Sequence, residues 1–286
     1  MRYLKSLFLP DDISEYKSLL SRSKNVYTSY YPYNIFSYKD FEEVDFDNIT
    51  IFYGSNGSGK TTLLNIIGEL IGVMRHSEFV CGDYFKKYLG LCELKYTAPE
   101  NKSQFLSSDD VFDYIMNARY INQGVDNLRN DISREYQNLK HDYDYRFKGF
   151  DDYEKMKNMT EAKRLTESKY IKNRMRLNVD TYSNGETAMH YFINKIDKNC
   201  VYLLDEPENS LSVSYQLDLK KFIEDSARFY KCQFVISTHS PILLSLENAK
   251  IYNLDVRPVC CCKWTDLPNV RKYFEFFTEH KDEFEK

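Results

Sequence analysis

The spacing of hydrophobic and polar positions changes several times along this chain, and the changes divide it. Between Asn25 and Phe52 apolar and aromatic residues alternate with polar ones: Val26-Tyr27, Ile35-Phe36-Ser37-Tyr38, Val44-Asp45-Phe46, then Ile49-Thr50-Ile51-Phe52-Tyr53. That period predicts strands. Beyond a Gly/Ser-rich stretch, Leu63, Leu64, Ile66, Ile67 and Leu70 recur at helical spacing. From about Asp110 to Val179 the pattern is helical and highly charged, with a short stripe of Val125, Leu128, Ile132 and Leu139. From Ser183 onward helices and apolar strands alternate again. Helices are expected over 186–196, 212–229 and 270–285, and strands over 200–204, 233–237 and 251–254. The fold class is α/β: a core formed by 1–99 and 181–286, interrupted by a helical insertion at 100–180.

The stretch between the strand at Ile49–Tyr53 and the helix that follows reads Gly54-Ser55-Asn56-Gly57-Ser58-Gly59-Lys60-Thr61. It satisfies G-x-x-x-x-G-K-[ST] in the strand–loop–helix context that motif requires. Its glycines let successive N–H groups face phosphate oxygens, and the helix N-terminus adds its dipole. Lys60 is expected on the β- and γ-phosphates and Thr61 on Mg²⁺, with Thr62 counted in the same nucleotide site. The cofactors implied are ATP and Mg²⁺.

Two later apolar runs end in chemistry. Val201-Tyr202-Leu203-Leu204 runs into Asp205-Glu206, and Gln233-Phe234-Val235-Ile236 into Ser237-Thr238-His239. Continuous apolar runs read as strands buried on both faces. Asp205 is a metal candidate, Glu206 a candidate to polarise the attacking water, and His239 a candidate for the γ-phosphate or that water. Ser183-Asn184-Gly185-Glu186 opens a helix as a capping box, with Ser183 capping and Glu186 capping back. A helix end so held can also bind phosphate, and this one starts far along the chain from the P-loop.

The composition narrows the class. With 42% apolar and 29% charged residues and a net charge of −4, the chain reads as a soluble globular protein with no global field toward nucleic acid or membrane. No apolar run reaches the roughly 18 residues a membrane span needs, and the N-terminus does not read as a signal peptide. Seven cysteines, an odd number, with Cys200 and Cys232 in core-like strands, point to reduced thiols and a cytoplasmic protein. Cys260-Cys261-Cys262 lacks metal-ligand spacing. Lys155–Arg176 holds eight Lys/Arg against two acids, a candidate nucleic-acid contact, though such a run is more often a solvated helix face.

The order of P-loop, S-x-G-E, L-L-D-E-P-E and S-T-H-S-P resembles the ABC-type ATPases, and within them the soluble RecF/SMC-like heads. The resemblance covers nearly the whole chain. It implies a P-loop NTPase of ABC-head type, with a mixed sheet and the 100–180 insertion as helical signature subdomain. It further implies that two copies sandwich two ATPs, Ser183 and Gly185 reaching the γ-phosphate on the partner's P-loop. Glu206 would be the catalytic base and His239 the switch residue. The sequence departs from the family in three places. The Q-loop glutamine has no clear match, Ser108 standing at its position and Gln104 a few residues early. Asn209-Ser210-Leu211-Ser212 ends in Ser where the family has Asp. The insertion is too short for an SMC arm. An aromatic ahead of the P-loop often stacks on adenine in the family, and Tyr31, Tyr33, Phe36 and Tyr38 are candidates.

The function expected is a switch ATPase that dimerises on ATP and regulates a partner protein, as the resemblance to heads of bacterial defence modules implies. A membrane transporter's nucleotide-binding subunit and a DNA-repair head working with a nuclease are the alternatives.

Overall fold

The computed structural model describes residues 2–20, 30–76, 79, 81–141, 153–174 and 184–285. In chain order these form β1 (Leu4–Phe8), α1 (Asp12–Leu20), β2 (Glu43–Asp45), β3 (Ile49–Tyr53), α2 (Lys60–Ile71), α3 (Asp83–Leu89), β4 (Glu93–Tyr96) and β5 (Gln104–Ser107). Three helices follow, α4 (Ser108–His141), α5 (Tyr153–Arg164) and α6 (Glu167–Arg174). The chain continues with α7 (Asn184–Lys195), β6 (Val201–Asp205), α8 (Val213–Phe229), β7 (Gln233–Ser237), α9 (Pro241–Leu244), β8 (Lys250–Asn253), β9 (Cys260–Cys262), α10 (Pro268–Glu279) and α11 (Lys281–Phe284). Two compact units result, residues 1–112 with 184–286, and residues 113–183.

The first unit holds a six-stranded sheet in the order β5-β6-β7-β3-β8-β9. Its first five strands are parallel, and β9 pairs antiparallel with β8 at the edge. Every residue of β3 and β7 is buried, the burial of parallel strands covered on both faces. A second, antiparallel sheet has the order β2-β1-β4. Leu63, Leu64, Ile66 and Ile67 of α2 share one core with Leu4 and Leu7 of β1 and with Phe52, Leu203 and Val235 of the large sheet. The helix that carries the P-loop lysine is therefore clamped between the sheets. Gln233 joins them: its amide nitrogen donates to Leu4 O and Asp47 O, both at 2.9 Å. Its Oε1 accepts from Tyr3 N at 2.9 Å and Leu4 N at 2.7 Å.

The strand expected at Ile35–Tyr38 does not form; Ser37–Lys39 is a 3-10 turn. Tyr33 and Phe36, three residues apart, both point into the core, a turn's period and not a strand's. The expectation at Val26-Tyr27 lies outside the described residues. β5 belongs to the large sheet, within the stretch 100–180 that the sequence pattern assigns to the insertion.

In the second unit, Ile132, Tyr136 and Leu139 of α4 pack with Met159 and Ala162 of α5 and Tyr170 of α6. Tyr136, between Ile132 and Leu139, joins this face, whereas Leu128 of the sequence stripe is exposed; the side chain of Val125 lies outside the described residues. Arg174 spans the core's edge, its guanidinium 2.6 Å from Glu161 Oε2 and 3.8 Å from the Tyr170 ring centre.

Candidate functional site

Parallel strands bring their C-terminal ends to one edge, which is where α/β folds bind ligands. Here Ser107, Asp205, Ser237 and Phe52 are successive register partners across β5, β6, β7 and β3. The residues just beyond them, Ser108, Glu206, Thr238-His239 and Gly54–Thr61, therefore converge by construction.

The P-loop wraps from Tyr53 into α2. Gly59 has φ of +104°, and a Cβ there would stand 3.0 Å from Ile35 Cγ2 and 3.1 Å from Phe36 Cε1. Only glycine fits, because φ is left-handed and the aromatic wall is close. Lys60 is buried, and its Nζ donates to Gly54 O at 2.9 Å and Ser55 O at 3.3 Å. The same ammonium lies 2.7 Å from His239 Nε2 and 3.6 Å from Glu206 Oε1. An ammonium has only donors, so the Nε2 lone pair accepts. Glu206 Oε1 stands 3.4 Å from Nε2, and Glu206 Oε2 accepts from Asn209 Nδ2 at 3.0 Å. Glu206 has φ of 46°, a left-handed backbone that costs a non-glycine residue about 1–3 kcal/mol. Its N–H donates to Ser237 O at 3.0 Å, fixing that turn.

Asp205 Oδ1 accepts from Thr61 Oγ1 at 3.1 Å and from the Ser237 hydroxyl. Burial pushes the Asp205 carboxyl above its ordinary range, against the pull of those two hydroxyls. Hydroxyl and carboxylate oxygens are the hard donors that Mg²⁺ takes, so the pair fits that ion. Ser108, one residue past the Asp205 register partner, opens α4. Ser107 caps that helix, its Oγ accepting from Asp110 N at 3.1 Å while Asp110 Oδ2 accepts from Ser107 N at 2.9 Å. Gln104 pairs instead with Tyr202 at the far end of β5 and donates to Lys195 O at 3.1 Å.

Four residues to which the sequence alone assigns no role hold this geometry. Asp255 accepts from Ser55 N and Ser55 Oγ, each at 2.8 Å. Lys39 donates to Ser58 O at 2.6 Å and Leu254 O at 2.7 Å, and burial pulls its ammonium below the usual range. Ser237 and Glu208 complete the set, and both stand inside the motifs quoted above. Thr62 turns inward, its Oγ1 accepting from Tyr31 at 3.0 Å, so its backbone N–H, in the first helical turn, is what it offers a phosphate.

Among the aromatic candidates, Tyr33 and Phe36 are core and Tyr31 stacks on Phe85. Tyr38 is 66% exposed. It lines a cavity of about 270 Å³ beside the loop with Asn56, Asp255 and Arg257. Ser183 lies outside the described residues. Gly185 and Glu186 stand in the first turn of α7, where a Cβ on Gly185 would lie 2.7 Å from Tyr215 Cδ2 of α8.

Residues 33–71, which carry the P-loop and α2, match the AAA domain family. No curated protein matches the chain. Among solved structures, the Smc head domain of Pyrococcus furiosus with an extended coiled coil, bound to the C-terminal domain of ScpA, is similar at 11% identity and TM-score 0.44, covering 98% of this chain and 100% of that one. The SMC head of Thermotoga maritima gives 12% and 0.39, covering 92% and 99%. A nucleotide-free ATP-binding cassette from an ABC transporter gives 11% and 0.39, covering 96% of each chain. At such scores these likenesses add nothing to the site's own geometry. Residues 33–71 are thus similar to an AAA domain, and the motifs ordered along the rest of the chain resemble those of ABC-type ATPase heads.

Proposed function

We propose that this chain is a Mg²⁺-dependent ATPase head that closes on ATP against a second copy of itself and acts through a partner protein. The observation that carries this is one constellation: Lys60, Glu206 and His239 meet within 3.6 Å, beside the Thr61–Asp205 oxygen pair at 3.1 Å. The N–H groups of Gly57–Thr62 and the Lys60 ammonium bind the phosphates, Lys60 exchanging its acceptors on Gly54 and Ser55 for phosphate oxygens. Thr61 and Asp205 hold Mg²⁺, with Ser108 the third candidate; when bound, the ion neutralises charge on the phosphate oxygens. Glu206 accepts a proton of the attacking water, and His239 orients that water or the γ-phosphate. The products are ADP and phosphate. Tyr38 stacks on the base. Ser183, Gly185 and Glu186 present their helix end to the partner copy's nucleotide.

The test is Glu206→Gln with ATP and Mg²⁺, followed by light scattering. A dimer that persists with ATP and is absent with ADP is expected. No dimer, together with undiminished hydrolysis in Ser183→Arg, overturns the sandwich. Tyr38→Ala is expected to weaken ATP about 10-fold by titration calorimetry, from the roughly 1–3 kcal/mol that base stacking is worth.

A DNA-acting head is the second reading, favoured by the exposed Lys163, Arg164, Lys169 and Lys172 of the second unit. It requires ATP hydrolysis stimulated by DNA and falling steeply with salt; no stimulation at low salt removes it.

A further inference from the structure

Glu208 stands two residues after Glu206, on the 3-10 turn Pro207–Ser210. It is 9% exposed. One of its oxygens, Oε1, accepts from Thr238 Oγ1 at 2.7 Å, His239 N at 2.7 Å and Ser240 N at 3.1 Å. Donors from three successive residues converge on one atom, and the middle one is the backbone of the site histidine. The other oxygen, Oε2, is buried and accepts from no described residue. The turn after β6 thus holds the turn after β7 by its backbone, while Glu206, at the same turn's start, stands 3.4 Å from the imidazole Nε2.

We infer that Glu208 is a positioning residue, which sets His239 against Lys60 and Glu206 and makes the acid-bearing and histidine-bearing turns move as one. The inference rests on the ATPase reading above. Hydrogen bonds elsewhere keep the second turn folded without it. Ser240 Oγ donates to Gln216 Oε1 at 2.7 Å and accepts from Ile242 N at 3.2 Å. Loss of Glu208 is therefore a loss of placement at His239 before it is a loss of fold. An ångström of misplacement costs on the order of 100-fold in rate.

The experiment is a mutant cycle on ATP turnover, with ATP affinity measured separately. Glu208→Ala is expected to lower kcat about 100-fold with ATP affinity within about 3-fold, since its hydrogen bonds go to the turn after β7 and not to the P-loop. Glu208→Gln keeps a carbonyl oxygen for the three donors and is expected to recover most of the rate. In the His239→Ala background, Glu208→Ala is expected to cost nothing further, because a residue acting through another loses its effect when that other is gone. An equal loss in both backgrounds overturns the inference, as does wild-type turnover in Glu208→Ala. If Glu208→Ala does not fold, Thr238→Val, which removes one of the three donors, takes its place in the cycle. Independently of turnover, the His239 imidazole resonance, identified by its loss in His239→Ala, is expected to shift in Glu208→Ala and stay in place in Glu208→Gln. That resonance still decides the positioning if the wild-type chain binds ATP without hydrolysing it, the outcome that sinks the ATPase reading alone.

Discussion

At the scale of single residues, two polar side chains, Gln233 buried and Asp205 half-buried, do opposite things to stability. Gln233 makes four hydrogen bonds, to backbone groups of β1 and of the turn before β3. Gln233→Leu strands those groups inside the protein at about 1–3 kcal/mol each where water cannot reach them. We expect at least about 3 kcal/mol lost in urea unfolding, with no change in the denaturant slope. Asp205 carries a desolvation cost instead. Its folded pKa is raised, so the fold favours the protonated form, and the cost is absent below the unfolded value and grows as pH rises through the folded one. Asp205→Asn keeps an acceptor for Thr61 and Ser237 and removes the cost. The variant should melt higher than wild type at neutral pH, lose that advantage as pH falls toward the ordinary carboxylate range, and hydrolyse no ATP. A melting advantage that grows on acidification would show the sign to be wrong. Legibility follows sequence distance. Asp205, Glu206 and His239 are readable because each ends an apolar run. Asp255 and Gln233 are not, because their partners lie 200 and 229 residues away.

At the scale of elements, the P-loop was legible because its shape is written in its own glycines, and its wall was not. Ile35 and Phe36 read as strand, yet they are the surface against which Gly59 closes. Gly59→Ala meets both a left-handed φ and that wall. A left-handed alanine alone costs about 1–2 kcal/mol, and the loop must shift to relieve it. We expect ATP affinity to fall at least about 10-fold by fluorescence titration, equivalent to 1.4 kcal/mol. Retained affinity would mean that the wall yields. In the sheet β2-β1-β4 the sequence pattern reached β2, through Val44-Asp45-Phe46, and missed β1 and β4. β2 and β4 are three and four residues long, and β4 buries none of them. β1 places Leu4 and Leu7 in the core three residues apart, across a register shift, so it lacks the alternation from which a strand is read.

At the scale of the whole molecule, the two units differ in what holds them. The first has β3, β6 and β7 sealed on both faces, with α2 between two sheets. The core of the second is made by single faces of α4, α5 and α6, with Ile132, Tyr136, Leu139, Met159, Ala162 and Tyr170 buried in it. Local opening energies scale with such burial, so the second unit should open more readily. In hydrogen exchange, amides of 132–139 are expected to exchange well before those of 49–53 and 233–237. Arg174 sharpens the test, since it binds Glu161 at 2.6 Å and Asn158 at 2.9 Å and covers Tyr170. Such a bridging side chain holds by packing as much as by charge. Arg174→Ala should speed exchange over 132–139 and 158–170 and leave β3 and β7 unchanged. If exchange in those strands rises with it, the units open together, and the second unit's core does not set its stability alone.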